Sequence, residues 1–124
     1  MEERITLKLS EKTIDRLKEG TESIQRYLYE DLIRNLEEIR LMITGYFFID
    51  RKRVYDLIIE ESSLVMDQGK GKVTVRYTLG MLDGCSGIDK SEKDSMTISI
   101  NANHESGEVL LVGENFPERE PDDF

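Results

Sequence analysis

Residues 4–17 read Arg4-Ile5-Thr6-Leu7-Lys8-Leu9-Ser10-Glu11-Lys12-Thr13-Ile14-Asp15-Arg16-Leu17, and within this stretch the period of the apolar residues changes. From Arg4 to Leu9 polar and apolar side chains alternate, so Ile5, Leu7 and Leu9 fall on one side of an extended chain and Arg4, Thr6 and Lys8 on the other. Ser10 then offers a side-chain oxygen to cap a helix, Glu11 suits the positive end of its dipole, and Ile14 and Leu17 share a helical face. A strand that runs straight into an amphipathic helix predicts an α+β fold.

Downstream, Ile14, Leu17, Ile24, Leu28, Leu32, Leu36, Ile39 and Ile43 keep a spacing near 3.6 residues. Gly20-Thr21-Glu22-Ser23 reads as a C-cap glycine followed by a new N-cap, dividing a helix over 11–19 from one over about 22–42. The apolar register passes through Gly20 unbroken, so one long helix is equally lawful. Tyr46, Phe47 and Phe48 form an aromatic segment with apolar neighbours on both sides, which favours core packing over base stacking. Asp50 is a further N-cap candidate, and Val54, Leu57, Ile58, Leu64 and Val65 suggest a helix over about 51–66.

After Asp67-Gln68-Gly69-Lys70-Gly71 the period returns to two. Val73, Val75, Tyr77 and Leu79 alternate with Lys72, Thr74, Arg76 and Thr78, and Met96, Ile98, Ile100 and Ala102 with Thr97, Ser99 and Asn101. Glu108–Gly113 follows the turn of His104–Gly107 as a last strand. The expectation is one α+β domain over 1–116: a strand-and-helix part over 1–43, an antiparallel meander over 71–114, and an acidic tail over 117–124 with too few apolar residues to fold. Its 124 residues suffice for one core, and 38% apolar against 35% charged residues suggests a core completed by a second copy, hence a homodimer.

The composition also excludes chemistry. Cys85 and His104 are the single cysteine and histidine, so neither an internal disulfide nor a Cys/His zinc cage is available within one chain, and no metal or cofactor is expected. Cys85 has no histidine beside it and sits among acids, which discourages the thiolate. Glu37/Glu38 and Glu60/Glu61 adjoin in sequence and diverge by some 100 degrees on a helix, so they form no catalytic dyad. The expected protein is not an enzyme. Gly80, Gly84 and Gly87 fit neither a Walker pattern nor a dinucleotide fingerprint, and residues 80–94 read as a loop. The longest apolar run, Leu41–Ile49, is too short to span a membrane, and Met1 is followed by Glu2 and Glu3 rather than a secretory signal, so a cytoplasmic protein is expected.

Net charge is −9, and its distribution is uneven: residues 1–53 hold 11 Lys+Arg and 11 Asp+Glu, residues 54–124 hold 6 and 15. An acidic surface attracts basic ones. One reading is therefore an acidic inhibitor, as phages encode, that covers a basic protein through Asp83, Asp89, Glu92 and Asp94. Another is a pocket at a dimer interface that sequesters a small ligand beneath the 80–94 loop.

The most specific signal is RITLKLSEKTIDRL followed by SIQRYLYEDLIRNLEE, covering about residues 4–38. It resembles the strand, first helix and second helix of the ribbon-helix-helix DNA-binding family. The resemblance implies a dimeric DNA-binding regulator or antitoxin in which two strands pair across a twofold and enter the major groove. Arg4, Thr6 and Lys8 would face the bases, and the start of the second helix near Thr21 and Ser23 would meet a phosphate.

Overall fold

The computed structural model describes residues 2–20, 24–48, 52–81 and 90–114. The fold is α+β, as expected. Strand β1 (Arg4–Lys8) leads into helices α1 (Glu11–Glu19), α2 (Ile24–Arg34) and α3 (Leu36–Phe47). Strands β2 (Lys52–Ile59), β3 (Val65–Asp67), β4 (Lys70–Met81), β5 (Lys90–Asn103) and β6 (Glu108–Val112) follow, with a 3-10 turn over Glu61–Ser63. All six strands pair antiparallel in one sheet of order β1-β6-β5-β4-β2, with β3 also paired to β4. Strand β1 thus lies beside β6, in register from Arg4↔Val112 to Lys8↔Glu108.

The helices cover one face of this sheet. Val73, Val75, Tyr77, Met96, Ile98, Ile100, Val109 and Leu111 point into that face and are buried against Leu28, Leu32, Ile39 and Ile43. Burial of such side chains, each contributing roughly 1.5–3 kcal/mol, holds the two layers together.

At Gly20 the structure decides between the two lawful readings. Gly20 adopts φ 65, ψ 31, and its N–H reaches Arg16 O and Leu17 O, ending α1 in a left-handed cap that glycine enters without steric cost. A second break, absent from the sequence reading, falls at Asn35, whose φ −111 and ψ 29 leave the helical region. Its side-chain amide donates to Asp31 O at 2.8 Å and so competes with the helical ladder, while the apolar register runs on across the kink. Helix α3 then extends to Phe47 and takes up the aromatic segment. Tyr46 and Phe47 pack inward, whereas Phe48 is 76% exposed. The Tyr46 hydroxyl accepts from Glu3 N at 2.8 Å and donates to Glu114 O at 2.7 Å, tying the entry of β1 to the exit of β6.

The start of α1 is held from another helix. Asp31 of α2 is 2% exposed, and its Oδ2 accepts from Thr13 Oγ1 (2.5 Å), Ser10 N (3.1 Å) and Ser10 Oγ (3.3 Å). Its Oδ1 lies 2.9 Å from Arg34 Nη2 as an ion pair without an aligned hydrogen bond. A buried carboxylate thus caps a helix that its own residues cap only in part.

The helix expected over 51–66 is corrected to strands. Asp56 has φ 53, and the register passes from Tyr55↔Thr78 to Ile58↔Arg76, so β2 carries one extra residue opposite β4. This β-bulge sends Val54, Leu57 and Ile59 all to the covered face. The bulge stretches one spacing from two to three, which imitates a helix in sequence. The loop expected over 80–94 is likewise strand over 80–81 and 90–94, because β4 and β5 pair one for one from Lys70↔Asn101 to Met81↔Lys90. Hydrogen bonding continues there after the apolar alternation has ended. The tail, Cys85, Gly84 and Gly87 lie outside the described residues.

Candidate functional site

The other face of the sheet has no helix over it among the described residues, and the strand register lays out its side chains. One row runs Arg4, Val112, Ser99, Lys72, Val65; the next runs Thr6, Leu110, Asn101, Lys70, Asp67. Further along β4, Thr74 faces Thr97, Arg76 faces Ser95 and Thr78 faces Lys93. Adjacent strands are about 4.8 Å apart, so Arg4 and Lys72 stand on the order of 14 Å from each other. Arg4, Thr6, Lys8, Lys70, Lys72 and Arg76 are all exposed.

This face is cationic although the chain is strongly acidic. Arg4 pairs with Glu2 and Arg76 with Glu60. Among the described residues, no carboxylate lies within ion-pair distance of Lys8, Lys70, Lys72 or Lys93. Ammonium groups held apart on a rigid sheet, interleaved with Thr and Ser hydroxyls, form a surface suited to a ligand with several negative charges. Glu108 stands opposite Lys8 and Asp67 opposite Lys70 in the register, neither at ion-pair distance.

Of the residues expected to meet nucleic acid, Arg4, Thr6 and Lys8 are brought together on this face. β1 hydrogen-bonds along its length with β6 of the same chain, and as the outermost strand it leaves its other edge without a strand among the described residues. Thr21 and Ser23 lie outside the described residues. Sequence reasoning passed over Lys70, Lys72, Arg76 and Lys93; the available signal was the alternation of Lys72, Thr74, Arg76 and Thr78 in β4, which marks one face of one strand.

The acidic group expected to contact a partner is not gathered into one loop. Asp83 and Asp89 lie outside the described residues, while Glu92 and Asp94 belong to β5. Glu92 Oε1 takes Lys52 Nζ at 3.2 Å, and Asp94 Oδ2 accepts from the Tyr77 hydroxyl at 3.4 Å. Burial, reinforced by the Asp94 carboxylate, pushes the Tyr77 phenol far above its ordinary value. His104 is exposed in the turn between β5 and β6. Among the described residues, no group of His, Cys, Asp and Glu could hold a metal ion, and no helix is long and apolar enough to cross a membrane.

Compared with protein-family models, with curated proteins and with solved structures, the chain matches none.

Proposed function

We propose that the chain is a non-enzymatic regulatory protein of the cytoplasm that binds nucleic acid through the open face of its sheet. The observation that carries this reading is the segregation of Arg4, Lys8, Lys70, Lys72 and Lys93 onto one face of a protein with net charge −9. A chain selected only for an acidic, soluble surface has no reason to collect on one side lysines that, among the described residues, have no carboxylate at ion-pair distance. The alternative of an acidic inhibitor has less support, because Glu92 and Asp94 already serve Lys52 and Tyr77.

The ribbon-helix-helix resemblance enters in modified form. Arg4, Thr6 and Lys8 act as the margin of a broad sheet rather than as a two-stranded ribbon. A homodimer built by pairing β1 with its copy about Thr6 would set Arg4 of one chain against Lys8 of the other. Like charges so placed repel, and a phosphate between them relieves the repulsion, so dimer formation would be coupled to binding.

Fluorescence anisotropy of a labelled oligonucleotide across a salt series tests the reading. Binding should weaken steeply as salt rises, and Lys70→Gln with Lys72→Gln should lower the log–log slope by about 1 per lysine. No salt-sensitive binding, or a slope unchanged by both substitutions, would overturn it.

A further inference from the structure

At the end of the open face away from Lys8, the bulge in β2 opens a shallow groove of about 900 Å3 between β2, β4 and β5. Asp56, Ile58, Arg76, Thr78, Lys93 and Ser95 line it. Arg76 stands opposite Ser95, and Thr78 opposite Lys93, so a guanidinium, an ammonium and two hydroxyls occupy the corners of one four-residue patch. Arg76, Lys93, Thr78 and Ser95 together offer donors to the several acceptor oxygens of a phosphate, and Lys93 offers it a charge that is not already paired among the described residues. Glu60 shares Arg76, and Asp56 and Asp94 border the groove, whereas Lys93 has no carboxylate within ion-pair distance among the described residues. Asp56 holds its left-handed backbone, unusual for a residue with a side chain, at this groove.

Beside the patch is an aromatic ring. Tyr55 lies opposite Thr78 on the next strand, extending the row Lys93, Thr78, Tyr55 across the face. Its ring rests over Gly80: a Cβ placed there would sit 2.8 Å from Tyr55 Cε1. A side chain at Gly80 would collide with the Tyr55 ring, so the glycine leaves the ring its place on this face.

We propose that this end of the open face takes one nucleotide of a single strand, with its phosphate on Arg76, Lys93, Thr78 and Ser95 and its base stacked against Tyr55. The proposal rests on the reading of the open face as a nucleic-acid surface and specifies the form of nucleic acid. A base inside a duplex is already stacked between its neighbours and shows only its edge; a base in a single strand is free to lay its face on a ring.

The test compares anisotropy titrations of a labelled single-stranded oligonucleotide with the same sequence as a duplex, using the full chain. The expected result is single-strand binding at least about tenfold tighter than duplex binding. Tyr55→Leu should weaken the single strand by roughly 5- to 150-fold and leave the salt slope unchanged. Lys93→Gln should lower the slope instead. Gly80→Ala, which displaces the ring without removing it, should weaken single-strand binding in the same direction as Tyr55→Leu, and circular dichroism checks that each variant folds. Equal affinity for the two forms, with no effect of Tyr55→Leu or Gly80→Ala, would overturn the nucleotide seat while leaving the cationic face intact. Failure of both forms to bind would overturn the two readings together.

Discussion

Strands β4 and β5 present the same backbone to two different media. On the covered face Val73, Val75, Met96, Ile98 and Ile100 are each at most 3% exposed, and the contacts they make are the core. One residue further along each strand, Lys72, Thr74, Thr97 and Ser99 face outward and contribute little to folding. The difference teaches that stability and binding are divided by strand parity here, so a substitution moved by one position should change which property it affects. Where the alternation loses its apolar member, at Glu92 and Asp94, pairing is kept by the β4 ladder and by Lys52 and Tyr77.

The largest effect should come from breaking the covered face. Ile98→Ala is expected to cost about 2–5 kcal/mol in urea denaturation, whereas the neighbouring Ser99→Ala should stay within about 0.5 kcal/mol. Comparable losses at the two positions would dissolve the division by parity. Next comes the buried carboxylate behind the sheet's helical cover: Asp31→Ala strips partners from Ser10 N and Thr13 Oγ1 and should lower stability by about 1–3 kcal/mol, with faster amide exchange in α1. Unchanged exchange would show that the cap is dispensable.

A pH scan sharpens the same contrast. Burial raises the Tyr77 and Tyr46 phenols, so both prefer the neutral form when folded. Their contribution is complete below the ordinary value of 10.0 and is lost as pH rises above it, because the unfolded chain gives up protons that the folded one retains. Stability should therefore fall above about pH 10, and Tyr77→Phe should flatten that decline. A decline of the same steepness in the variant would assign it elsewhere. The smallest effect is expected at the surface pair of Glu37 and Arg40, where the guanidinium lowers the Glu37 carboxyl through a hydrogen bond in the open. Glu37→Gln should leave the denaturation midpoint unchanged within error, and a clear shift would mean that the pair supports Arg40 in its bond to Val54 O.

Much of this was legible in residue order, and the misreadings have identifiable causes. The alternation in β1, β4, β5 and β6 and the helical spacing after Ser10 follow from local geometry, since a side chain's face depends only on its neighbours in the chain. The bulge at Asp56 hid β2, because an inserted residue turns a period of two into a false helical step. The kink at Asn35 left no trace in an apolar register that continued through it. Of the candidate site, Arg4, Thr6 and Lys8 were legible as one strand's polar face, while Lys70, Lys72, Arg76 and Lys93 belonged to separate segments with nothing in sequence to join them.

Residue order alone determined the class of fold and the capped start of α1, since each depends on residue identity or on near neighbours. Tertiary structure decided the seat of β1 against β6, the capping of α1 by Asp31 and the gathering of cations onto one open face. Those features arise where segments distant along the chain meet, and the strand register that aligns them is set by packing and hydrogen bonding across the sheet.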